Sequence, residues 1–154
     1  MRMSTRGRFG LRALLHLAVC EPGRPVSVAT LAETMEVSPD YLMQLFVRLR
    51  RAGLVKSVRG PRGGFKLARQ PSKISVGDIV RAVEGPIAVT ECLEHALGRG
   101  RRRNAKSCAK SANCISRLDW EKLSAEITRI LDATSLAEVI TDARRQRIIP
   151  DNTP

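Results

Sequence analysis

Ser38-Pro39-Asp40 opens the stretch that most constrains how this 154-residue chain can fold. Ser38 can accept a hydrogen bond from a free backbone N–H, Pro39 suits the first helical position, and Asp40 favours the positive end of a helix dipole. Behind them Leu42, Leu45, Phe46 and Leu49 fall on one helical stripe, which Gly53 ends. A shorter stripe, Val28, Leu31, Ala32 and Met35, precedes it, with Ser27 as its cap and Glu36-Val37 as a tight connection. Two helices joined this way form a helix-turn-helix, whose second helix can enter a major groove with its N-terminal side chains forward.

After Gly53 the apolar period changes. Leu54–Val58 and Phe65–Arg69 flank Arg59-Gly60-Pro61-Arg62-Gly63-Gly64, and this pattern predicts a β-hairpin wing. Upstream, Phe9, Ala13, Leu14, Leu17 and Ala18 mark a first helix from Ser4 to Cys20, with His16 and Cys20 in structural roles. Downstream, Ser75 caps a helix from Val76 to about Val83, stopped by Gly85-Pro86, and a loop follows from Glu91 to Cys114.

Leu118, Leu123, Ile127, Ile130 and Leu131 then trace a long helix whose apolar face needs a second surface, most simply the same helix of another copy. Trp120 is expected to pack at that boundary, Ser135–Ile140 to form a short last helix, and Arg144–Pro154 to fray. The expected fold class is mainly α with a small β-hairpin wing. Residues 1–84 form a winged helix-turn-helix domain and 85–114 a cysteine-containing sensor loop. The dimerisation helix and short terminal helix take 115–141, and 142–154 form a flexible tail.

Charge points to the partner. The formal net charge is +12, with 14 Lys and Arg against 4 Asp and Glu in residues 1–77 and 13 against 11 in residues 78–154. An excess concentrated in the N-terminal half, which carries the helix-turn-helix, suits double-stranded DNA, because each cation set against a phosphate releases counterions. Aromatic residues make up 3%, too few to stack single-stranded RNA bases. No nucleophile–base pair, phosphate loop or carboxylate pair supports an enzyme. Arg12 and His16 interrupt the apolar run that a signal peptide would need, and no run approaches membrane-spanning length, so the cytoplasm is expected.

Ser38, Tyr41, Gln44 and Arg48 project from the early and middle part of the reading helix. Gln44 can pair with adenine, Ser38 and Tyr41 can donate to phosphate, and Arg48 can reach backbone or guanine. Tyr41 can equally be a half-buried packing residue. Arg59, Arg62 and Gly63 at the wing tip suit minor-groove or phosphate contact.

Cys92, Cys108 and Cys114 lie beyond the wing. In a reducing compartment such a set holds iron or zinc, or senses redox state. Thiolate ligation suits an iron–sulfur cluster, three thiolates with one further ligand suit zinc, and a thiol switch without metal stays open. Candidates for a fourth ligand are Glu91, Glu94, His95, Asp119 or a small external thiol.

The run Ser38 to Leu49, then Gly53-Leu54-Val55, then Val58 to Phe65 with its Arg-Gly-Pro-Arg-Gly-Gly tip, resembles the Rrf-two family of bacterial repressors. The likeness extends from about Met1 to Ile140. It implies a homodimer with crossed long helices on a palindromic operator. It also implies an iron–sulfur cluster, 2Fe–2S rather than 4Fe–4S, held by Cys92, Cys108 and Cys114.

The chain departs from the family pattern in several places. Between Cys92 and Cys108 lie 15 residues, where the family spaces its first two cysteines closely. Arg117 stands where some members carry a histidine, and no acidic residue precedes Glu21. Met43 stands where some carry a carboxylate that tunes operator choice. A regulator of the same fold, gated by thiol oxidation or a partner protein, is the alternative.

Overall fold

Seven helices and one hairpin make up the computed structural model, which describes residues 3–19, 22–96 and 114–149. In chain order these are α1 (Thr5–Val19), α2 (Val28–Met35), α3 (Pro39–Arg51), β1 (Val55–Val58), β2 (Gly64–Leu67), a 3-10 turn (Pro71–Lys73), α4 (Val76–Val83), α5 (Glu91–Ala96), α6 (Arg117–Ala133) and α7 (Leu136–Arg145).

The helix-turn-helix carries its expected caps. Ser27 Oγ accepts from the Thr30 amide at 3.1 Å, and Ser38 Oγ accepts from the Tyr41 amide at 3.2 Å. Between α2 and α3, Glu36 turns the chain in a left-handed conformation with φ of 57°. The predicted stripe Leu42, Leu45, Phe46 and Leu49 is buried in full.

The wing is an antiparallel pair running from Val55–Leu67 to Val58–Gly64. Val26 adds a third rung by exchanging two backbone hydrogen bonds with Phe65, at 2.9 and 2.8 Å. Gly64 makes this possible, because a Cβ there would run into the Val26 carbonyl. Phe65 stacks on Phe46 with ring centroids 4.5 Å apart, so the wing and α3 pack as one unit.

The small helix α4 is apolar on two sides. Ile79 and Val83 enter the main core, while Val76 and Val80 join a second cluster with Ile87, against which Ile127 and Leu131 of α6 pack. At Gly77 a Cβ would meet the carboxylate of Asp132, so the missing side chain lets α6 come close.

Three elements differ from expectation. Residues 91–96 form α5 rather than loop: Leu93 is buried, and Glu91 and Glu94 sit in the first turn, where the dipole favours them. The α6 stripe splits. Ile127 and Leu131 face α4, whereas Leu118, Leu123 and Ile130 are exposed, with Trp120 at 38%.

Helix α7 also runs through Arg145, past the 141 boundary, and Leu136 and Ile140 are buried in the winged-helix core. A capping box starts α7, in which Ser135 and Glu138 satisfy each other's amides, and the Ser135 amide first, with its hydroxyl, holds the Glu138 carboxyl below its usual range. Leu136 further donates its amide to Ile74, and Val76 donates to Thr134, lashing the α6–α7 junction to the start of α4. Leu136→Ala therefore destabilises the whole winged domain by about 3 kcal/mol, the usual cost of a buried Leu truncation. A urea titration followed by far-UV circular dichroism should show one shifted transition; a separate early loss of helix would show α7 to be independent.

Candidate nucleic-acid interface and cysteine site

Ser38, Met43 and Gln44 are exposed on α3, as Arg59 and Arg62 are at the wing tip. Ser38 presents its hydroxyl at the start of α3 while capping it. The wing tip is a tight turn in which Gly63 donates to the Gly60 carbonyl at 2.9 Å, and a Cβ on Gly63 would meet the Val58 carbonyl. The tip backbone therefore stays slim between two arginines.

Tyr41 and Arg48 stand differently. The Tyr41 ring meets Phe9 of α1 edge-on at 5.9 Å and its hydroxyl is buried. Arg48 turns inward, and its Nη1 donates to the carbonyl of Val83 at 3.0 Å. The spacing explains both. Residues 41, 45 and 48 share one flank of α3, and Leu45 on that flank is buried.

Cys92 lies in the first turn of α5, exposed, with its sulfur 3.1 Å from Thr90 Oγ1. Cys114 is half-buried just ahead of α6. Its thiol is held below the usual range by a hydrogen bond with Ser116 at 3.5 Å, aided by the Ser116 and Arg117 amides and the Arg117 charge. Arg117 is fixed by Glu121 at 2.7 Å, the bond that most favours its charged form, and the charges of Cys92 and Cys114 add a little to this. That donor chemistry fits a thiolate-ligated centre, whose negative charge the guanidinium offsets.

Cys108, Cys20, Arg99–Arg103 and Lys106 lie outside the described residues, as does the side chain of His95. Among the described residues, no three His, Cys, Asp or Glu side chains converge to hold a metal. Glu91, Glu94 and Asp119 are exposed.

Sequence reasoning missed the joint between α4 and α6. Arg81 Nη2 donates to Asp132 at 2.6 Å and to Asp78 at 3.1 Å, and the Asp132 bond is the largest influence stabilising its charge. The Asp78–Arg81 spacing was visible in the chain, but Asp132 lies 51 residues away and left no local signal. Ser124 was missed too; buried on α6, it accepts from the Val89 amide at 3.0 Å and so anchors the approach to Cys92. Between these anchors lies a cavity of about 820 Å³, bounded by Ile87, Leu93, Arg117, Ser124 and Asp132.

Residues 3–142 match the family Rrf2, iron-dependent transcriptional regulator. The chain is 34% identical over 148 residues to the HTH-type transcriptional regulator IscR of Aliivibrio salmonicida, covering 96% of this chain and 82% of that one. Among solved structures it is similar to T. potens IscR, at 35% identity and a TM-score of 0.72, over 97% of this chain and 93% of that chain. It is also similar to CymR, the global cysteine regulator of B. subtilis, at 33% identity and a TM-score of 0.68, over 92% and 97%. No helix among the described residues is long and apolar enough to cross a membrane.

Burial raises the Asp78 carboxyl, but bonds from Ser75 and Arg81 outweigh this and leave it below its ordinary 3.8. A lowered carboxyl stabilises the fold fully above its ordinary pKa and ceases to do so as pH falls through the lowered one. Asp78→Asn should therefore flatten the fall in thermal midpoint between about pH 5 and pH 2. An unchanged acid limb would mean that Asp78 is not linked to folding.

Proposed function

Because the chain belongs to the Rrf2 family and is a DNA-binding transcriptional regulator rather than an enzyme, we propose that it represses from a palindromic operator as a homodimer. Its DNA affinity is set by an iron–sulfur cluster, of the 2Fe–2S type, held by Cys92, Cys108 and Cys114. The observation that carries this reading is the pair of cysteines that follow the winged helix-turn-helix, Cys92 exposed in the first turn of α5 and Cys114 just ahead of α6.

The chain's own residues divide the work. Gln44 and Ser38 address the major groove from α3, and Arg59, Arg62 and Gly63 bring the wing tip to the backbone or minor groove. Leu118, Leu123 and Ile130 supply the apolar face for a second copy, which would set the separation of the two reading helices. That separation must suit half-sites roughly 34 Å apart, so a small change of pose alters affinity strongly. The winged domain then takes residues 3–83 together with α7, the sensor segment 85–114, and α6 the dimer contact. When bound, the cluster supplies a centre that oxygen, nitric oxide or iron scarcity can alter.

Control by the thiols alone is the second reading. The long Cys92–Cys108 spacing favours it, as does the similarity to CymR, a cysteine regulator by name.

Anaerobic purification with iron and sulfide analysis decides between the two. The expected result is a coloured protein with iron and sulfide in near-equal amounts, and loss of both, with a changed DNA response, in Cys108→Ala. A colourless wild-type protein that cannot be reconstituted, yet loses DNA on peroxide treatment, would favour thiol control. For the dimer, Ile130→Glu should halve the mass seen by analytical ultracentrifugation without lowering the helix content; an unchanged mass would place the contact elsewhere.

A further inference from the structure

We propose that Arg48 is a positioning residue for DNA reading, acting through the hydrogen bond that ties α3 to the end of α4. The inference rests on the assignment of α3 as the reading helix. Val83 is the last residue of α4, and its carbonyl belongs to the final turn, which has no helical partner of its own. Arg48 donates to it from 35 residues away in sequence, bringing a cation to the negative end of that helix. The bond is partly buried, so it is stronger than a surface contact of the same kind.

The end of α4 is gripped from a second side as well. Glu84, the next residue, accepts from the Ser4 amide at 3.1 Å and the Ser4 hydroxyl at 2.9 Å, at the start of α1. Arg81, in the last turn of α4, ties its flank to Asp132 of α6, and the first residue, Val76, donates to Thr134 at the end of α6. α4 is thus a short rod with α6 along its flank and α3 bonded to its tip. A change in how α6 sits reaches α3 through two routes: the shared apolar core, which yields in many directions, and the Arg48–Val83 bond, which is directional. The bond therefore sets the pose from which Gln44 and its neighbours meet base edges, while the guanidinium itself stays off the DNA.

A phosphate contact and a positioning residue leave different marks. The probes are a duplex enriched from a randomised library by the full-length chain, and the same duplex with its sequence scrambled. For Arg48→Met we expect the enriched duplex to bind about tenfold more weakly, the scale of one lost charge-assisted hydrogen bond. Binding to the scrambled duplex, and the slope of log affinity against log salt, should stay as in the wild type. Arg48→Gln, which keeps an amide donor but no charge, should recover part of the loss.

A salt slope reduced by about one in both variants, with both duplexes weakened alike, would make Arg48 a phosphate contact and overturn the proposal. If Arg48→Met does not fold, the salt slope of Arg48→Gln decides the question alone. A wild-type chain that cannot tell the two duplexes apart would overturn the DNA-reading assignment itself, and the proposal with it.

Discussion

Everything in this chain leans on a helix too short to stand alone. Eight residues give α4 two turns, far below the length at which an isolated helix persists in water. It exists because both of its apolar sides are covered, Ile79 and Val83 by the winged core and Val76 and Val80 by the approach of α6. Burial of a Val or Ile side chain is worth roughly 1.5–3 kcal/mol. The two sides therefore contribute comparably, and neither can be loosened without loosening the other. The capping box of Ser75 and Asp78 adds to this but does not replace it.

The segments that carry the two described cysteines join this arrangement by way of α6. Cys92 reaches the rest of the molecule through Leu93 and through the Val89–Ser124 bond, and Cys114 through the first turn of α6. Both paths end on α6. The exposed ion pairs along α6, such as Arg129–Glu126, are individually weak and leave its surface free to repack. Contacts toward α4 are close, as the missing side chain of Gly77 allows, and combine apolar packing with the Arg81–Asp132 pair.

Local chemistry made most of the fold legible. Caps at Ser27, Ser38 and Ser75, the stripe of α3 and the glycine-rich wing tip each specify structure within a few residues, and all appear where the chain announces them. What stayed hidden depends on distant partners. Arg48 reads as one more exposed cation until Val83 arrives beside it, and Tyr41 stays open between polar contact and packing residue until Phe9 covers it. The apolar stripe of α6 reads as one face, because nothing local says that Ile127 and Leu131 turn toward α4 while Ile130 does not. The cysteines were legible as chemistry, and the Val89–Ser124 bond that anchors the approach to Cys92 was not.

The place of α7 bears on how the molecule comes into being. Its Leu136 and Ile140 complete a core begun by Ala13 and Leu14, so the domain that reads DNA is assembled from both ends of the chain. During synthesis the N-terminal portion emerges first, and domains generally fold as units. Here the unit cannot close until the residues between α4 and α7 have also left the ribosome. A winged core without α7 is thus left open at Leu136 and Ile140, and a translation product truncated before α7 would be a target for proteolysis.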